Sequence, residues 1–445
     1  MNVSMKSPRI GKDRFYLVIF VDVSSHISLI YLCFVLLFFF QPKPAVLEQM
    51  GTTQFERLKT EFSYKQWHLK KSNQVSTDQL RQISWPWVWS SRFQLGNSEL
   101  KMTMVTRFAT MQRQKEEYEK EIVATDPREL SLNKQSLFGI TDTQIVFDYH
   151  LQRKARFLTD WFIGLGFSLP TGKNQLRPVD VELANQFYSE VLDFQISRLG
   201  EGFNRGISLF TTHRFSTLCI AVGGNYLVKG KYSVLPNQLY KPGNESHLQA
   251  ATLWKGQLFS WRNNLGFRHY SHDSFGEQTW FQQGGEILGD TSLTLNFPRG
   301  QLFIGQHLIN RLRNSQIDGD RFGLQIRNTN SDFRQSRLGG RYHISPLIQI
   351  ELRYERLFML PNENKIGRAS VRHTSFSVSA QFRDYLWANA GCSIGQGEMQ
   401  ALIKSNANVT VISPATTSAP EDQIRLNGLS FWIGVRQNFD LHKIN

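Results

Sequence analysis

From Leu429 to Phe439 the chain alternates strictly enough to define two faces. Leu429, Phe431, Ile433, Val435 and Phe439 share one, and Ser430, Trp432, Gly434, Arg436 and Asn438 share the other; only Gln437 breaks the apolar series. Successive side chains of an extended strand point to opposite sides of the sheet. A strand that is apolar on one side and polar on the other, ending on an aromatic residue just before Asp440–Asn445, fits the wall of a barrel whose outside meets lipid.

The pattern recurs upstream. Trp161, Ile163, Leu165, Phe167 and Leu169 oppose Asp160, Gly164, Gly166 and Ser168. Ile145, Phe147, Tyr149 and Leu151 oppose Asp148, His150 and Gln152. Leu218, Ile220, Val222 and Tyr226 form another apolar face, as do Leu293, Leu295 and Phe297, and Phe376, Val378, Ala380 and Phe382. Ile83, Trp85, Trp87, Trp89, Phe93 and Leu95 share a face whose aromatics suit an interfacial girdle. A soluble sandwich alternates too. Two features favour the membrane barrel. The segments run about ten to fourteen residues, whereas globular strands average five or six. The connections also alternate between short and long. Short ones fall near Arg153-Lys154, Thr212-His213, Arg262–Asn264, Pro298–Gly300, Ser345-Pro346 and Arg383-Asp384; long ones span 112–142, 170–202, 229–247, 273–287, 313–332, 359–369 and 396–424. Outer-membrane barrels have tight periplasmic turns and long outer loops.

The expectation is therefore an all-β fold, an antiparallel up-and-down transmembrane β-barrel in the bacterial outer membrane. Counting strands from Lys101 gives about 14, within a range of 12–16. Residues 1–45 read as a signal peptide, because Lys6, Arg9, Lys12 and Arg14 precede the apolar run Leu29–Phe40. Residues 46–80 read as an N-terminal plug or linker, 81–439 as the barrel and 440–445 as a tail.

Composition narrows the function. Charged residues make up 20% of the 445, which suits strands with one wet face better than a bundle of membrane helices. The net charge of +14 comes from Lys and Arg scattered along the chain, which argues against nucleic acid and suits anionic lipopolysaccharide outside or a cation-lined lumen inside. Cys33, Cys219 and Cys392 have no metal-binding spacing, so neither a metal nor another cofactor is expected. Gly166 to Lys173 imitates a phosphate-binding loop but separates its glycines by five residues and follows Lys173 with Asn174, which lacks the hydroxyl that binds Mg²⁺.

The same stretch carries a family resemblance. Phe162-Ile-Gly-Leu-Gly-Phe-Ser-Leu-Pro-Thr-Gly-Lys173 resembles the strand and loop of the outer-membrane proteins assigned to the meta-pathway of phenol degradation. Leu199-Gly-Glu-Gly202 and Tyr342-His-Ile-Ser-Pro346 are similar to later elements of that family. The resemblance implies an outer-membrane barrel, distantly like the long-chain fatty-acid transporters, that passes hydrophobic or aromatic compounds. Loops 112–142 and 170–202 and the tail depart from the family, and no Asn-Pro-Ala plug motif stands near the start of the mature chain.

Two constellations could carry function. Arg337, Arg341 and His343 share the polar face of one strand, and Glu351, Arg353 and Glu355 that of the next, with Ser345-Pro346 between. Facing a lumen, such charges either zip neighbouring strands together or set solute selectivity. His269 and Ser271 lie two apart on a face shared with Leu265 and Phe267, the arrangement of outer-membrane phospholipases and lipid A deacylases, in which His takes the Ser proton. Asp273 and Glu277 are the acids close by. The leading expectation is a non-enzymatic channel or transporter for small molecules, hydrophobic or aromatic ones among them. The alternative is a lipid hydrolase using His269 and Ser271.

Overall fold

The computed structural model describes residues 53–71, 77–95, 98–117, 131–152, 159–400 and 423–438, apart from 174, 188, 197, 236, 237, 277, 319, 320 and 384. The expected signal peptide 1–45, the tail 440–445, the turn at Arg153-Lys154 and Glu277 lie outside these residues.

In chain order the first strands are β1 (Thr53–Lys71), β2 (Thr77–Leu95), β3 (Ser98–Glu117), β4 (Ser131–Ile140), β5 (Thr143–Gln152) and β6 (Thr159–Leu169). A helix, α1 (Pro178–Gln186), lies in the next connection. There follow β7 (Asn204–Phe215), β8 (Leu218–Val228), β9 (Tyr232–Leu235), β10 (Gln238–Lys241), β11 (Glu245–Lys255) and β12 (Phe259–Tyr270). Then come β13 (Asp273–Phe275), β14 (Gln278–Gln282), β15 (Glu286–Phe297), β16 (Gly300–Arg311), β17 (Ser315–Asp318) and β18 (Arg321–Leu324). The last are β19 (Phe333–Ser345), β20 (Ile348–Met359), β21 (Ala369–Arg383), β22 (Leu386–Gln400) and β23 (Gln423–Asn438).

Sixteen strands close into a ring, not the expected fourteen. The ring shuts where β1 pairs antiparallel with β23, from Arg57 opposite Asn438 to Lys71 opposite Ile424. One strand stands outside the cycle: β4 pairs with the second half of β3, while β5 pairs with the first half. The extra strands are β1 and β2, so residues 53–71 and 77–80 of the segment 46–80, expected as a plug or linker, form wall. Its pattern was hard to read because β1 turns Thr60 and Gln66 outward beside Phe62, and Trp67 and Leu69 inward beside Lys65. Two short turns also move. The chain reverses at 216–217 rather than at Thr212-His213, with Ser216 at a φ of 41°, and at 256–258 rather than at Arg262–Asn264.

Closure pairs every strand of the ring on both sides and leaves no open edge in lipid. The outward side chains form an apolar band: Leu165 is 44% exposed, Leu265 66% and Ile433 57%. Exposed apolar surface on this scale needs a lipid partner. The inner face carries the residues of opposite parity, polar along much of the wall.

Connections at one end of the ring are short. At the other end most are longer, apart from 72–76 between β1 and β2, and among the described residues they build two structures. Hairpins β9–β10, β13–β14 and β17–β18 join edge to edge into a separate six-stranded sheet. The connection from β6 to β7 turns inward instead.

Candidate functional site

The inward segment, 170–203, is held at both its ends by Asp142, which sits in the break between β4 and β5. Its Oδ1 accepts from Gly172 N–H at 2.9 Å and its Oδ2 from Glu201 N–H at 2.6 Å. Thr171 Oγ1 accepts from Thr143 N–H at 2.9 Å, so the Pro170-Thr171-Gly172 exit from β6 is fixed to the neighbouring strand. Pro178 opens α1, where its missing N–H costs nothing. The Arg177 guanidinium grips buried Asp180 through two bonds of 3.0 Å. That hydrogen bonding holds the Asp180 carboxyl below the usual carboxylate range, against the opposing effect of burial and with help from Lys173.

Beyond α1 the segment buries its apolar side chains against the inner wall. Leu183, Phe187, Val191, Leu192, Ile196 and Leu199 pack with inward-facing Trp67 of β1, Leu80 of β2, Met111 of β3, Leu137 of β4, Val371 of β21 and Leu426 of β23. The main apolar core of the described residues thus lies inside the barrel. Trp67 is 1% exposed, and its Nε1 donates to Leu192 O at 2.9 Å. Room for its ring comes from Gly395 and Gly428, where a Cβ would stand 2.5 and 2.6 Å from indole atoms. Gln82 does for Ile196 what a neighbouring strand would: its Nε2 donates to Ile196 O at 2.6 Å and its Oε1 accepts from Ile196 N–H at 3.2 Å.

Ion pairs complete the attachment. Lys65 reaches Asp193 Oδ2 at 2.7 Å, and Arg113 stands 3.7 Å from Glu182. Across the lumen Arg311 of β16 meets Glu190 at 2.5 Å and also Glu286 of β15 at 3.0 Å. Glu286 is 3% exposed and takes Arg268 at 3.0 Å as well, so its buried charge is shared between two guanidinium groups. The segment therefore crosses from the β1–β4 wall to the β15–β16 wall.

The charges anticipated on β19 and β20 face the lumen, on the side opposite exposed Leu338 and Leu352. Register sets Arg341 opposite Glu351, and the pair closes at 2.8 Å. Arg353 lies 3.5 Å from Glu351 and 3.3 Å from Glu355. Arg337 stands opposite Glu355 but bonds Asp290 of β15 at 2.5 Å. His343 is exposed near the short-turn end, and its backbone N–H goes to Arg299 O at 2.7 Å. His269 is exposed on the outward face. Ser271 Oγ accepts from Asn244 N–H at 2.7 Å. Asp273 takes the Tyr240 hydroxyl and Gly243 N–H. Among the described residues no hydrogen bond joins His269 to Ser271.

Residues not anticipated are Asp142, Trp67, Gln82, Glu286 and Arg311, together with an alcove of about 180 Å³ on the wall β11–β16. Leu288, Ile309 and Gly266 back it, and His247, Asn264, Asp290 and His307 line it. The buried atoms His247 Nε2 and Asn264 Oδ1 have no hydrogen-bond partner among the described residues. One signal for the inner core stands in the sequence: Ile424 and Leu426 have the parity of the polar face of β23, while Gln423, Arg425 and Asn427 have that of its apolar face, so the alternation inverts at that strand end.

The closed antiparallel ring, its apolar exterior and its charged interior define a transmembrane β-barrel of the bacterial outer membrane. No protein-family model and no curated protein matches the sequence, so the phenol meta-pathway resemblance rests on the quoted residues alone. Solved structures similar to it include Pseudomonas aeruginosa OccK7, at 10% identity over 87% of this chain and 99% of that one, with a TM-score of 0.41. An anion-selective porin from Comamonas acidovorans is 10% identical over 87% and 100%, with a TM-score of 0.40. The Pseudomonas putida toluene transporter TodX is 13% identical over 90% and 93%, with a TM-score of 0.36. Likenesses this distant bring no residue correspondence and no cargo.

Proposed function

We propose that the protein is a channel for small solutes, hydrophobic or aromatic ones among them, whose bore is set by segment 170–203. The observation that carries this reading is the attachment of that segment across the lumen, from Asp142, Trp67 and Gln82 on one side to Arg311 on the other. The alcove sets the apolar side chains of Leu288 and Ile309 among the polar groups of His247, Asn264, Arg268, Asp290 and His307, which suits a small solute with both polar and apolar parts. At about 180 Å³ it falls below the roughly 300–1,000 Å³ of sites for drug-sized ligands. Ser271 Oγ accepts from Asn244 N–H, and among the described residues no hydrogen bond joins it to His269, so nothing observed favours the hydrolase.

The lumen charges supply ion selectivity. Lys101 and Arg107 of β3 and Arg262 of β12 face inward without an ion-pair partner among the described residues. Unpaired cations in a narrow, partly dehydrated passage favour anions. The test is conductance of the purified chain in planar bilayers, with the reversal potential measured in a salt gradient. Wild type should conduct and prefer chloride. Arg107→Ala should weaken that preference. Arg341→Ala should weaken it further, because it also leaves Glu351 with fewer partners. A wild-type barrel that inserts and does not conduct would overturn the proposal.

A further inference from the structure

Arg334 of β19, Arg356 of β20 and Arg372 of β21 have outward parity on three adjacent strands. Arg356 and Arg372 stand directly opposite each other in the register, and Arg334 is opposite Phe358, one diagonal step from Arg356. Like charges directly opposed across strands repel. In the lumen the arginines of β16, β19 and β20 meet carboxylates, as Glu286 and Glu351 show. Here no carboxylate answers among the described residues. Glu398 stands opposite Ser370 and Arg425, and no ion pair joins it to Arg372 among the described residues. Arg334 and Arg372 are exposed; the Arg356 guanidinium lies over the Phe358 ring at 4.2 Å, and its Nε is buried without a hydrogen-bond partner among the described residues.

The height of the cluster is informative. On β20 the outward series runs Ile348, Ile350, Leu352, Tyr354 and then Arg356; on β21, read in the opposite sense, it runs Phe382, Ala380, Val378, Phe376, Thr374 and then Arg372. Apolar residues thus fill the band, an aromatic marks its rim on β20, and the arginines begin directly above it, at the long-loop end. That is where lipid headgroups lie against a barrel. Guanidinium groups bind phosphate oxygens in a two-pronged geometry that lysine cannot match.

We propose that Arg334, Arg356 and Arg372 form a binding site for the phosphate of an anionic lipid in the outer leaflet, whose acyl chains lie on Leu352, Tyr354 and Phe376 below. The phosphate relieves the repulsion between Arg356 and Arg372. The site lies on the outer face and is independent of conduction.

The test uses the full chain in zwitterionic detergent, with dilauroyl phosphatidic acid, dilauroyl phosphatidylcholine and inorganic phosphate as probes. Native mass spectrometry should show wild type retaining phosphatidic acid about tenfold over phosphatidylcholine. Arg356→Gln combined with Arg372→Gln should abolish the preference, and Lys255→Gln at the short-turn end should keep it. Heat-modifiable migration on gels verifies that each variant is folded. Thermal denaturation supplies a second reading. Without anionic lipid the double glutamine variant should melt higher than wild type, because the repulsion is gone; with phosphatidic acid the order should reverse. Equal retention by wild type and the double variant, or an unchanged melting order, would overturn the site. Displacement of the lipid by equimolar inorganic phosphate would show a free-anion site and overturn the lipid assignment.

Discussion

The connections at the long-loop end follow two different plans. Segment 170–203 turns into the barrel and is held by side chains: Phe187, Leu192 and Leu199 are each at most 2% exposed. The six-stranded sheet built from 232–324 is held mainly by its backbone ladder, and many of its large side chains stay in the open, Trp280 at 50% and Leu324 at 64% among them. A segment held by apolar burial against a rigid wall has one place to be. A sheet made of short hairpins that meet through two residue pairs each is tied at its strand roots and by one hydrogen bond from Arg198 to the Tyr232 hydroxyl. The first plan suits a fixed constriction, and the second suits a surface that tolerates change.

The sharpest break in this comparison would come from Trp67→Ala. Truncating a buried Trp costs roughly 3–5 kcal/mol, and the hydrogen bond to Leu192 O goes with it. The segment should swing free, conductance should rise, and protease should cut between 187 and 199 while the barrel stays folded. An unchanged conductance with a protected segment would show that Trp67 does not hold the constriction.

Asp273→Ala is the counterpart in the sheet. It removes the acceptor of the Tyr240 hydroxyl and of Gly243 N–H, about 1–3 kcal/mol if both are left unmet. Amide exchange at 238–241 and 273–282 should quicken, with conductance and barrel melting unaltered. A change in conductance would mean the sheet also gates the lumen.

A smaller effect is expected from acid. The Asp180 carboxyl is depressed by Arg177, so its contribution is complete above the ordinary carboxylate pKa near ~4 and is lost as the pH falls through the lower, folded value. Protease sensitivity of 173–187 should rise below that range, and Asp180→Asn should show the raised sensitivity at every pH. A flat wild-type profile would contradict the role of this pair. The smallest effect is that of Lys65→Gln. Its partner Asp193 has a side chain that is 70% exposed, so the loss is about 0.2–1 kcal/mol, detectable only as a slight rise in conductance noise.

By itself the sequence determined the wall and its two faces. Leu165, Leu265, Leu293, Phe376 and Ile433 point outward as alternation requires, because a lipid exterior and a wet interior impose a period of two on every strand they both touch. The cross-strand meeting of Arg341 with Glu351 was legible for the same reason, since a tight turn fixes the register of the two strands it joins. What only the tertiary structure decided begins where the interior is not wet. Trp67 and Leu80, and Leu426 on the closing strand, point inward and look like errors in the alternation until segment 170–203 is laid upon them. The same effect hid β1 and, with it, the count of sixteen. Asp142, Glu286 and Arg311 gave no local signal, because each draws its role from groups far away in the chain, brought near only when the ring closes.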